Sequence, residues 1–205
     1  MSEYGSKETI SRPLLEDDEF IIEKKFLSLD NKYYIRDSER KIVGVCQERS
    51  LTIKGELRVF SDEDKTEELF RIKQRNMLDF TGTFEVVDPT KKDVVGFLKR
   101  NWLKSMILGE WKIFDKNKEV IAEAEEDSLV KEALRLRGLK KLPYRYKLYR
   151  NGKKIGFCKQ RLSLVKNVYR LQMNDRAEDE LDRRLFISLA LLLDTVEDKF
   201  RKIGK

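Results

Sequence analysis

The run Leu185-Phe186-Ile187-Ser188-Leu189-Ala190-Leu191-Leu192-Leu193 constrains this chain more than any other feature. Wound as a helix, it is apolar on every side. A surface helix shows a stripe, whereas a helix apolar all round must be covered all round. Lipid is not the covering material, because a membrane span needs about 20 apolar residues. The rest of the protein has to enclose it. The helical pattern around the run extends over about residues 178–200, with a charged first half.

The rest of the chain is written in hairpins. The segment 33–45 (YYIRDSERKIVGV) reads as strand, turn with Asp37, and strand with Gly44. The same order recurs in 84–97 (FEVVDPTKKDVVGF), 111–124 (WKIFDKNKEVIAEA) and 146–157 (YKLYRNGKKIGF), and more loosely in 57–72 (LRVFSDEDKTEELFRI). A short polar side chain at the turn caps backbone N–H groups. Asn151-Gly152 suits a two-residue type I′ loop. The glycine late in the second strand predicts a bulge or a close backbone approach. Five hairpins give ten strands, and Phe20–Leu29 and Leu164–Met173 add one each. Runs of short strands at this spacing predict a sandwich or barrel.

Twelve meandering strands leave two costly edges unless the sheet closes. A closed barrel of that size also has an interior wide enough for a helix. The expected fold is therefore mainly β: a closed antiparallel barrel of about twelve strands around a buried hydrophobic C-terminal helix. Residues 1–19 read as a flexible acidic lead-in and 20–205 as a single domain. A second helix is expected over 128–138. The rival arrangement, with the apolar helix sandwiched between a sheet and that helix, is weaker because 128–138 is short and amphipathic.

The composition removes whole classes of chemistry. The 205 residues include no histidine, so the commonest general base and metal ligand is missing. The two cysteines, Cys46 and Cys158, fit neither a disulfide framework nor a thiolate zinc site. They occupy matching places in two repeats, which reads as inherited packing. Trp102 and Trp111 read as core or loop anchors. Glu123, Glu125, Glu126 and Asp127 are acidic but have no partner motif. No catalytic residue, metal site or cofactor is expected, and the protein is read as not an enzyme. The polar, acidic N-terminus has no signal-peptide pattern, and a cytoplasmic setting without a transmembrane span is expected.

Charge gives the functional lead. The net charge is +7, and residues 129–161 alone hold twelve Lys or Arg against Glu132. With Asn151-Gly152 as the loop, Arg150 is expected to face Lys153, Leu148 to face Ile155, and Tyr146 to face Phe157. Alternation then puts Tyr144, Tyr146, Leu148, Ile155 and Phe157 inside, with Arg145, Lys147, Tyr149 and Lys154 outside. Lys140 and Lys141 sit in the preceding loop. Lys140, Lys141, Arg145, Lys147, Arg150, Lys153 and Lys154 are the candidate anion-binding residues. The bland alternative is a solvated barrel exterior, where strand lysines also block edge pairing.

The stretches 23–45 (EKKFLSLDNKYYIRDSERKIVGV), 70–88 (FRIKQRNMLDFTGTFEVVD) and 185–194 (LFISLALLLD) resemble the LURP-one-related family of the Tubby C-terminal-like superfamily, which also includes the phospholipid scramblases. The resemblance covers about Phe20 to Phe200 and implies a twelve-stranded barrel around a central helix. It also implies a non-enzymatic binding module. The expected partner is anionic phospholipid or an acidic protein, with peripheral membrane recruitment. A nucleic-acid-binding barrel and a scaffold without a small ligand are the alternatives. Residues 175–182 lie where scramblases carry a proposed calcium segment, but they lack the alternating acidic pattern and glycine of a calcium loop. They read instead as acids favoured by the positive N-terminal end of the helix dipole.

Overall fold

The computed structural model of the chain describes residue 14 and residues 17–25, 32–48, 56–75, 82–101, 109–127, 143–161, 166–174 and 181–197. The expected helix over 128–138, and Trp102, Lys140 and Lys141, lie outside them.

Twelve strands occur in chain order: β1 Glu19–Lys25, β2 Lys32–Arg36, β3 Ile42–Glu48, β4 Glu56–Phe60, β5 Glu68–Gln74, β6 Thr83–Asp88, β7 Asp93–Arg100, β8 Glu110–Asp115, β9 Val120–Glu126, β10 Arg145–Arg150, β11 Lys153–Arg161 and β12 Lys166–Met173. Each pairs antiparallel with its neighbours in sequence. β12 pairs with β1 through Phe20–Leu171 and Ile22–Tyr169, so the barrel is closed and has no edge.

The hairpin repeat has a physical counterpart. In each of the five repeated hairpins the register slips once just before the turn, at Ile35/Arg36, Val59/Phe60, Val86/Val87, Ile113/Phe114 and Leu148/Tyr149. Gly44, Phe70, Gly96, Ala122 and Gly156 each sit opposite the last residue before the slip. A β-carbon on Gly96 would lie 2.3 Å from the carbonyl oxygen of Phe114, and one on Gly156 would lie 2.6 Å from that of Gln172. The recurring glycine thus serves both expected purposes, at a bulge where a neighbouring backbone comes close. Asp37, Asp88 and Asp115 cap their turns by accepting from the backbone N–H groups of Lys41, Lys91 and Glu119. Asn151 and Gly152 have φ of 49° and 75°, as a type I′ loop requires.

The barrel is filled by helix α1, Arg183–Leu192, which continues into a π turn, Leu193–Glu197. Leu185, Phe186, Ile187, Leu189, Leu191, Leu192 and Leu193 are all at most 2 % exposed. Burial of seven such side chains favours the closed state by on the order of 10–20 kcal/mol before ordering entropy is subtracted. The helix starts later than its sequence pattern predicts. Asp182 takes the N-cap and accepts from Arg184 N–H at 2.9 Å, and the first turn holds no acid. Its positive N-terminal end instead carries Arg183 and Arg184, neutralised from outside the helix. Arg184 donates to Asp182 and, at 2.8 Å, to Asp88 in the β6–β7 turn.

Part of the expected lead-in is packed against the barrel. Leu14 is 2 % exposed and lies against the bulge at Gly44. The Asp17 carboxylate accepts from both N–H and Oγ of Ser38 at 2.9 Å. The Asp17 carbonyl and the Asp18 carboxylate receive the guanidinium of Arg183. These residues form a strap that ties the turn at Ser38 to the start of the helix at Arg183.

At the far end of the lumen the buried Asp194 carboxylate collects four donors. Lys24 Nζ is at 2.6 Å, Tyr33 OH at 2.8 Å, Tyr169 OH at 2.6 Å and Asn167 Nδ2 at 3.2 Å. Burial alone would raise its pKa. The Lys24 ammonium and the hydrogen bonds from Lys24, Tyr169 and Tyr33 outweigh it and hold the carboxyl below its ordinary range.

Candidate functional site

The helix fills the space that a lumenal ligand would need, which leaves the outer wall. Residues 145–173, spanning β10, β11 and β12, contain nine Lys or Arg and no Asp or Glu. Strand alternation turns six of these cations outward, in rows that cross all three strands. One row is Arg145, Lys159 and Arg170, and Arg161 flanks it on β11. The next is Lys147, Phe157 and Gln172, followed by Tyr149 opposite Lys154. The β10–β11 tip adds Arg150 opposite Lys153, with Asn151, Gly152, Lys153 and Lys154 exposed. Neighbouring strands lie about 4.8 Å apart, so cations in one row can share an anionic surface.

Acids border this wall. Lys147 Nζ lies 3.3 Å from Asp127 Oδ2 on one side, and Arg170 pairs with Glu19 at 2.6 Å on the other. In both pairs the cation is the more exposed partner, and ion pairs at a surface contribute little stability.

The sequence reading is right about Arg145, Lys147, Tyr149 and Lys154 facing out, and about Tyr144, Tyr146, Leu148 and Ile155 facing in. It is wrong about Phe157. Leu148 opposes Gly156, not Ile155, and Tyr146 opposes Cys158, not Phe157. The bulge at Leu148/Tyr149 inserts one residue into β11, and a one-residue slip moves every later side chain to the other face. Phe157 therefore lies half-buried on the outer wall, with Lys159 Nζ 4.2 Å and Lys154 Nζ 5.8 Å from its ring centre. Lys159, Arg161 and Arg170 also belong to the wall and were not singled out from sequence. The glycine preceding Phe157 was the available signal, since it already pointed to a bulge.

The other candidates resolve into structure. Trp111 is buried beside Phe84, with ring centres 6.0 Å apart. Cys46 and Cys158 are buried, form no disulfide and stand opposite Tyr33 and Tyr146 in their repeats. In the acidic cluster, Glu123 pairs with Lys112 at 3.2 Å, Asp127 with Lys147, and Glu126 accepts from Gly109 N–H. No group of three or more metal-ligating side chains is gathered among the described residues. Among them, too, no helix is long and apolar enough to cross a membrane.

A closed twelve-stranded antiparallel barrel with its lumen occupied by its own C-terminal helix is a fold of the Tubby-like kind. The chain belongs to the LURP-one-related family, whose model matches residues 42–194. That match takes in ten of the twelve strands in full together with the lumen helix, in agreement with the resemblance drawn from sequence. Comparison with curated proteins gave no significant match.

Proposed function

We propose that this protein is a non-enzymatic module that docks on anionic phospholipid headgroups through the β10–β12 wall. One observation carries the reading: three contiguous strands present cations with no acid among them. Among the described residues Val120 is the one strongly exposed large apolar side chain, and the β10–β12 wall adds only the half-buried ring of Phe157, so charge dominates what this surface offers a partner. Electrostatic attraction to an anionic surface fits what is there. The reading places the protein at the cytoplasmic face of a membrane as a peripheral component.

The test is co-sedimentation with phosphatidylserine-containing vesicles at two salt concentrations. Wild type should bind, and binding should weaken as salt rises. Arg145→Glu with Lys154→Glu should abolish it. Unchanged binding by that double variant would remove the wall from the mechanism.

A nucleic-acid reading gains from the outward position of Phe157, because aromatic side chains among cations can stack on bases. It predicts RNA or single-stranded DNA binding with a steep salt dependence. It ranks second because β10–β12 turn only Tyr149 and Phe157 outward among the described residues, short of the run of aromatics on which successive bases stack.

A further inference from the structure

Phe157 is out of place on a purely electrostatic wall. A strand exterior built only for solvation would carry a polar residue there, as Gln172 does beside it in the same row. The ring is half-buried, and its cation neighbours Lys154 and Lys159 lie on flexible stems. An exposed cation–π contact is weak, and a phosphate oxygen offers an ammonium a stronger, charge-assisted hydrogen bond.

We propose that Phe157 is a membrane-inserting residue, and that the partner of this wall is an anionic bilayer rather than a soluble polyanion. The inference rests on the docking reading above and adds the depth of contact. As the wall approaches the surface, Lys154 and Lys159 swing from the ring to lipid phosphates. The aromatic face they leave enters the headgroup region. Lysine stems accommodate this movement because they can lie along apolar surface while the ammonium stays polar. Basic residues beside an apolar side chain such as Phe are a pairing found at membrane interfaces. Arg145, Lys159 and Arg170 lie on one row across β10, β11 and β12, so the barrel would rest on its side with Phe157 in the row beside them.

The experiment uses the full chain and phosphatidylcholine vesicles with phosphatidylserine, and inorganic polyphosphate as the soluble comparison. Phe157→Ala keeps every charge. It should lower vesicle partitioning about five- to tenfold and leave the dependence on salt unchanged, since about 1.4 kcal/mol corresponds to tenfold. Phe157→Trp should show blue-shifted emission on the vesicles, quenched by a bilayer-embedded quencher, relative to wild type with its own Trp102 and Trp111. Polyphosphate should cause no such shift. If wild type binds vesicles and Phe157→Ala binds equally, insertion is overturned and charge-based docking stands. A shift with polyphosphate as large as with vesicles would overturn it too. If wild type binds no anionic vesicle, the docking reading itself fails, and binding to RNA instead would mark the nucleic-acid alternative.

Discussion

Lys24 Nζ donates to Asp194 Oδ2 at 2.6 Å, across 170 residues of chain, and both side chains are closed off from solvent. The pair ties β1 to the end of the lumen helix. Removing one member leaves the other as a buried, uncompensated charge, which costs about 3–5 kcal/mol. Asp194→Asn should therefore lower the stability measured by urea denaturation at neutral pH by about that amount. The double variant Lys24→Met with Asp194→Asn should cost less than Asp194→Asn alone, since it leaves no orphaned charge and the amide oxygen can still accept from Tyr33 and Tyr169.

The same carboxylate sets an acid limit. In the fold its pKa lies below the ordinary carboxylate value of 3.8. A depressed carboxylate contributes stability that is present above its unfolded pKa and lost as pH falls through the folded one. Wild type should lose this contribution below pH 3.8, and Asp194→Asn should show a flatter acid limb. Acid titrations that superimpose would show that Asp194 does not contribute.

The strap gives a second test. Arg183 is 4 % exposed at the start of the helix, where a cation opposes the helix dipole. It is held by the Asp17 carbonyl, the Leu181 carbonyl and the Asp18 carboxylate. Asp18→Ala should destabilise the protein by about 1–3 kcal/mol. Amide exchange at residues 183–186 should rise more than at 190–193. Uniform acceleration along the helix would place the effect in global unfolding instead.

These two anchors mark what could not be read in advance. The hairpins were legible because each is local: alternation, an Asp or Asn at the turn and, in four of the five, a small residue after it lie within sixteen residues or fewer. The enclosed helix was legible because its apolar surface has no polar side. The ends of the helix were not. Asp194 finds Tyr169 and Lys24 at separations of 25 and 170 residues, and Arg183 finds Asp18 at 165. Such contacts follow from closure and carry no periodic signature. The later start of the helix did have a local sign, because Asp182 is a strong N-cap residue immediately before Arg183. At the wall, the cations of β10 were legible from charge and alternation. Phe157 was not, because the bulge changes the phase of β11 midway, and strand alternation holds only within an unbroken ladder.

Cys158 has no measurable exposure, and burial pushes its thiol up to about 12. The thiolate is the reactive form, so native protein should resist alkylation at pH 8 while urea-unfolded protein labels readily. The unfolded thiol ionises near 9.0 and the folded one near 12. Ionisation therefore favours the unfolded chain between these values, and stability should decline as pH rises above 9.0. Stoichiometric labelling of Cys158 in the native state would contradict this burial.

Five equivalent bulges allow one position to be compared within one protein. Hairpins β6–β7 and β10–β11 carry Gly96 and Gly156, whereas β8–β9 carries Ala122, 2 % exposed, in the same place. A methyl group thus stands at β8–β9 in the place that glycine takes in the other two hairpins. At Gly96 the added carbon would meet the Phe114 carbonyl at 2.3 Å, and Leu185 of the lumen helix at 3.1 Å. Neither a backbone carbonyl nor an enclosed helix can move away cheaply. Gly96→Ala should cost about 1–3 kcal/mol or more by overpacking, while Ala122→Gly should cost only about 0.5–1 kcal/mol from lost strand preference. Urea midpoints for the two variants decide the matter. Equal, small losses would mean that the glycine at this bulge reflects turn chemistry alone and not the close approach of β8.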